Sequence, residues 1–206
     1  QYSTAAMYLE QALGHQKNME KSIRGDLVGI LSQLGMTYSL SGDLDRAIDC
    51  YVDCVEAIKE VVMSPSPRHA SVYGSLATLY HVKACIQDDN DKMVEFLQLA
   101  EKYYLEALTV DSHSVIAVQY SNYLHQQGHG TDALARLLPF VFGTLRRSPD
   151  VVYYGVEQAI LPEHFQHELD DIDEVAIECR VYASFLALLC FKELGLTKDA
   201  EDCLII

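Results

Sequence analysis

The sequence predicts an all-helical chain built from stacked antiparallel helix hairpins. Three observations carry this. First, glycine stands five residues before alanine at three places: Gly42 and Ala47, Gly128 and Ala133, Gly195 and Ala200. Glycine can end a helix in the left-handed conformation, and a small alanine lets the next helix cross closely. Second, small and apolar residues recur at spacings of three and four, as in Ala47, Tyr51 and Cys54, in Ala100, Tyr104 and Ala107, and in Ala5, Leu9 and Ala12. Such spacing puts them on one helical face. Third, no alternation of useful length suggests strands.

The elements follow in order. Residues 1–22 read as the second helix of a hairpin whose first helix is missing. That start, at Gln1 within a helical pattern, suggests a fragment of a longer protein. Residues 26–63 form the clearest hairpin, with Asp43 placed to cap its second helix. Ser64-Pro65-Ser66-Pro67 then breaks the chain. Residues 69–110 form the next hairpin, its turn enlarged by the acidic segment 86–92, and residues 114–146 a third. Alanines 5, 47, 100, 133 and 200 are separated by 42, 53, 33 and 67 residues. The last gap leaves room for one degenerate hairpin over 149–178. There Val151, Tyr154 and Gly155 match Leu31, Leu34 and Gly35. Residues 179–206 close with a last hairpin, Thr197 capping its second helix. Arrays of this kind are one domain, each unit burying a face on its neighbour.

Composition narrows the function. Thirty acidic residues oppose fifteen basic ones, for a net charge of −15. This disfavours nucleic acid, which needs a basic footprint, and anionic membrane surfaces. No apolar run of about 18 residues suggests a membrane span. Six cysteines lack any CxxC pair, and most fall in apolar helical stretches. Buried free thiols suggest a reducing, intracellular and cytoplasmic setting.

Catalytic signatures are not evident. The sequence has no GxGxxG, GxxxxGK[ST], GxSxG or HExxH. His164 and His167 stand at helical spacing without an evident third ligand, and His125 and His129 flank a glycine turn. Each pair reads as a solvated helix end before it reads as a metal site. Asp170-Asp171-Ile172-Asp173-Glu174 is a charge run suited to a helix start. No enzyme activity, metal or other cofactor is expected. Tyr38, Tyr51, Tyr80 and Tyr104 fall where each hairpin needs large core residues.

The unit from Val28 to Lys59, with Leu31, Leu34, Gly35, Tyr38, Gly42, Ala47, Tyr51 and Cys54, resembles the tetratricopeptide repeat family. Cys54 replaces the usual alanine, and Lys59 the usual proline. The 42-residue step is similar to the long-repeat branch of kinesin light chain and LGN-type G-protein regulators. The resemblance implies a right-handed α-solenoid, a TPR-like superhelix, whose first helices line a concave face. It also implies a scaffold that binds a protein or peptide partner there. The register of the clearest unit projects Ser32, Gln33, Met36 and Ser39 onto that face, then Gly74, Ser75, Thr78 and His81. Val118, Gln119, Asn122 and His125 follow, then Val152, Tyr153 and Val156. Asn122 falls where the family often bonds a peptide backbone. Family members that grip acidic chaperone tails use cationic residues at the places held here by Ser32, Met36, Ser75, Val115 and Gln119. None is cationic, so an acidic chaperone tail is not expected as the partner. A homo-oligomer, paired through apolar ends such as Leu204, Ile205 and Ile206, is the alternative.

Overall fold

The structure is a computed structural model. It describes residues 2–17, 27–61, 65–112, 115–142, 151–154, 161, 175–196, 198 and 200. The expectations for Thr197, His164, His167, the run 170–174 and Leu204 to Ile206 lie outside the described residues. Two compact units are present, 1–110 and 111–206.

The first unit comprises α1 (Tyr2–Lys17), α2 (Leu27–Leu40), α3 (Leu44–Val61), α4 (Pro67–Cys85) and α5 (Asn90–Val110). Each helix packs on the next in sequence. The α2–α3 hairpin forms because Gly42 takes φ 81°. The Gly42 amide then donates to Ser39 O at 3.0 Å and the Asp43 amide to Tyr38 O at 2.9 Å. This pair satisfies carbonyls that the end of α2 would otherwise leave open. Asp43 caps α3, its Oδ1 accepting from the Arg46 amide at 3.2 Å. Ala47 is wholly buried, as are Cys54 and, in α5, Ala100, Tyr104 and Ala107. Gly35 is small for a reason that can be measured: a Cβ there would lie 2.8 Å from the Tyr51 ring.

Helix α4 starts at Pro67, a favoured residue in the first turn. Ahead of it the Ser66 amide donates to His69 Nδ1 at 2.8 Å. The expected insertion over 86–92 is smaller than the sequence suggested. Only residues 86–89 connect α4 to α5, and Asp89 Oδ1 accepts from the Asp91 and Lys92 amides at 3.0 and 3.3 Å. The longer step comes from helices of 19 and 21 residues, against 14 and 18 in the preceding hairpin. Helix α1 also departs by one position: Ala5 is exposed and Ala6 is buried.

The second unit comprises α6 (Val115–Gln126), α7 (Gly130–Val141), strands β1 (Val151–Tyr154) and β2 (Val175–Glu178), and α8 (Cys179–Glu193). Gly128 and Gly195 repeat the turn chemistry of Gly42, at φ 79° and 72°. His129 N donates to Leu124 O at 2.8 Å, and Leu196 N to Phe191 O at 2.9 Å. Helix α8 packs directly on both α6 and α7. It runs antiparallel to α7, because Arg180 donates to Val141 O at 3.2 Å while Gly130 lies beside Leu194. It thus takes the place of the first helix of the following hairpin.

The degenerate hairpin expected over 149–178 is corrected here. Val151–Tyr154 is a strand, paired antiparallel with Val175–Glu178 in the register Val152 to Ile177 and Tyr153 to Ala176. Among the described residues, α7 packs directly on α8. A three-position match suggested helix, but Val-Val-Tyr-Tyr and Val-Ala-Ile are runs of β-branched and aromatic residues that suit a pleated ribbon. The expectation that no strand is present falls with it.

Candidate functional site

Helices α2, α4 and α6 are the first helices of their hairpins, and none carries an Asp or Glu. The carboxylates sit on the second helices. In α3, Asp45, Asp49, Asp53, Glu56 and Glu60 form one exposed stripe at spacings of four and three. The first helices are held inside by apolar contacts on most sides, which leaves little room for ionised groups. What they expose is therefore free of carboxylates, and their lysine and arginine are confined to Arg68 and Lys83 of α4.

The projected face divides under burial. Gln33 and Met36 are exposed on α2, Met36 at 55%, and Ser32 is half-buried beside them. Ser75 on α4 and Gln119 on α6 are also half-buried. Ser39, Thr78, His81 and Asn122 are buried, the last two completely. The Thr78 hydroxyl donates to Gly74 O at 3.0 Å and lies 3.2 Å from the Tyr104 hydroxyl, while His81 meets the Tyr104 ring edge-on. These four side chains are packing residues. His125 is half-buried with Nε2 3.1 Å from a Glu193 carboxylate oxygen, so it joins α6 to α8. Tyr153 lies on β1, not on a helix.

The structure thus brings Ser32, Gln33 and Met36 onto one exposed face. Thr37 on that helix donates to Gln33 O at 2.8 Å. Tyr38, on the opposite side, is buried, and its hydroxyl donates to the Glu10 carboxylate. Burial, then the Glu10 bond, raises the Tyr38 hydroxyl above its ordinary value. Arg46 stacks 4.5 Å from the Tyr38 ring centre. Its amide and guanidinium hold Asp43 below the usual carboxyl value. Three buried thiols are poorly suited to act as nucleophiles. Burial pushes Cys54 and Cys179 up to about 12 and Cys190 to about 11, so all three stay protonated at neutral pH. Among the described residues, no group of three or more His, Cys, Asp or Glu is placed to hold a metal ion. No helix of the described residues is long and apolar enough to cross a membrane.

With this geometry in hand, comparison with known proteins is informative. A family model described as "Tetratricopeptide repeat" matches residues 28–60. These residues are the α2–α3 hairpin, the one with the glycine turn, the capped second helix and the Gly35–Tyr51 crossing. That hairpin matches one tetratricopeptide repeat. A solved structure of kinesin light chain nearly identical TPR-like repeats, from Podosopora anserina, superposes with a TM-score of 0.59 at 16% identity. The match covers 99% of this chain and 84% of that one. A second solved form of the same repeats, carrying one substitution, gives 0.60 at the same identity and coverage. At that identity the likeness shows the fold alone, a helical repeat solenoid. No curated protein matches the chain. Tetratricopeptide repeats generally mediate protein–protein interaction.

The residues missed from the sequence are those around Tyr38. Glu10, Asp43 and Arg46 meet there across three helices. Only Asp43 and Arg46, at capping distance, left a local signal.

Proposed function

We propose that this chain is a scaffold of the tetratricopeptide-repeat kind that docks a peptide segment or helix of a partner protein on the exposed faces of its first helices. In the first unit that face is Ser32, Gln33 and Met36 of α2, with Ser75 of α4. In the second unit Gln119 of α6 contributes. The observation that carries the reading is the exposure of Gln33 and Met36 on a helix without a charged residue, whose opposite side is buried. Such a face favours apolar contact, with glutamine amide and serine hydroxyl groups able by type to donate and accept against a partner backbone. It offers no cation for an acidic tail, so binding through an acidic chaperone terminus is not part of the reading. Nor does the acid-rich surface favour nucleic acid. Affinity capture from cell extract tests this. The Gln33→Glu, Met36→Lys double variant should melt like the wild type, since both positions are exposed, and lose the captured partner. Undiminished capture by that variant would remove the reading.

A second reading, self-association, draws on the exposed apolar side chains of the second unit, Phe142, Val181, Leu194 and Leu196. Sedimentation over a range of concentrations separates the two. A strict monomer leaves only the scaffold.

A further inference from the structure

Between α1 and the turn joining α2 to α3 lies a cleft of about 580 Å³. That volume falls in the range of roughly 300–1,000 Å³ typical of ligand sites. It does not belong to the exposed face of α2, which points elsewhere. Tyr2, Met7 and Glu10 line it from α1, Tyr38 from α2, and Asp43 and Arg46 from the turn and α3.

The charges in this cleft do not cancel. Arg46 is matched by Asp43, their groups 2.5 Å apart. Its guanidinium also reaches the Tyr38 hydroxyl at 3.5 Å. Glu10 meets the same hydroxyl, which is a neutral donor because burial and Glu10 itself raise it. One negative charge is therefore left over, in a protein already at −15. Within this mostly polar lining, two large apolar side chains on the helix of Glu10 are open to solvent: Met7 is 45% and Tyr2 39% exposed.

These features select an occupant. An acidic side chain would face two carboxylates across a guanidinium already paired. A purely apolar one would take water from Glu10 without replacing its hydrogen bonds, which is costly. A long basic side chain meets both demands, since its methylene stem covers apolar surface while its head stays polar. The Tyr38 ring already carries one guanidinium on its face, that of Arg46. We propose that this cleft receives a lysine or arginine side chain of a partner polypeptide, with its cationic head at Glu10 and its stem along Met7 and Tyr2. The site is independent of the uncharged α2 face, so either can fail without the other.

The test is a nuclear magnetic resonance titration of the full 206-residue chain with the capped tripeptide acetyl-Ala-Arg-Ala-amide. Saturable amide shifts should centre on the stretches around Glu10, Tyr38 and Arg46. The tripeptide with Glu in place of Arg should produce none. Glu10→Gln keeps an acceptor for Tyr38 and should leave the melting curve in place while weakening binding roughly threefold to fivefold, the scale of an exposed ion pair. Glu56→Gln, on the acidic stripe of α3, should leave binding unchanged. Equal weakening by both variants would mean diffuse attraction to an acidic protein and would overturn the proposal. So would shifts absent from the cleft, or an equal response to the Glu tripeptide.

Discussion

At Gly42 a backbone angle decides a hairpin. With φ at 81°, the position admits glycine readily and a β-branched residue hardly at all. Gly42→Val should lower stability by at least about 1 kcal/mol, the cost of holding an L-residue left-handed, and denaturant unfolding measures it. The next residue, Asp43, is the cap of α3. Its carboxyl is held low by the Arg46 amide and side chain, so its ionised form stabilises the fold. A depressed acid contributes fully above its unfolded value and loses that contribution as pH falls through its folded value. Asp43→Ala should therefore cost about 1 kcal/mol at neutral pH. The gap between variant and wild-type melting should narrow below about pH 4. Asn122 is the residue whose role the structure changes most. The family resemblance and the projected register place it in a groove, but it is fully buried in α6. Asn122→Ala should cost about 1–3 kcal/mol, because polar groups packed around it lose a partner in a dry setting. Melting curves check this, and a variant with an unchanged melt and lost partner binding would return Asn122 to the surface.

Helices and turns were legible where chemistry is local. Gly42, Gly128 and Gly195 each announced a helix end, and each adopts the left-handed conformation. Ala47 and Ala133 announced crossings, and both are wholly buried. Legibility failed where one face looks like another. On α1 the stripe was read through Ala5, but the buried residue is Ala6, since both fit a three-to-four spacing with Leu9. On α4 and α6 the outward stripe could not be told from the buried one, because first helices there are uncharged on nearly every side. Strand β1 was misread because four residues satisfy a helical template as readily as a pleated one. Crossing geometry gives a direct check on the α2–α3 element. Gly35→Ala would place its Cβ 2.8 Å from the Tyr51 ring. Tyr51 is itself buried. Overpacking of this kind should cost about 1–3 kcal/mol in chemical denaturation, with helix content unchanged. A variant as stable as wild type would mean the two helices are not in close contact.

On the scale of the whole molecule, the repeat class was readable because a motif recurs. Counting by alanine spacing inserted a hairpin between α7 and α8, which in fact touch. The described residues of that stretch include the paired β1 and β2, and a spacing cannot distinguish a strand from a helix there. Charge was legible as a total but not as a pattern. Its segregation, acid on second helices and none on α2, α4 and α6, became meaningful only once each helix had a place in a hairpin. On the proposed reading, that segregation marks the first-helix face as a surface for a guest. The measurement that bears on it most directly is site-specific photo-crosslinking in cell extract, with a benzophenone side chain at position 36 of α2 or at position 49 of α3. The account predicts a discrete protein adduct from position 36 and none of comparable yield from position 49. Adducts of equal yield from both, or from position 49 alone, would contradict it.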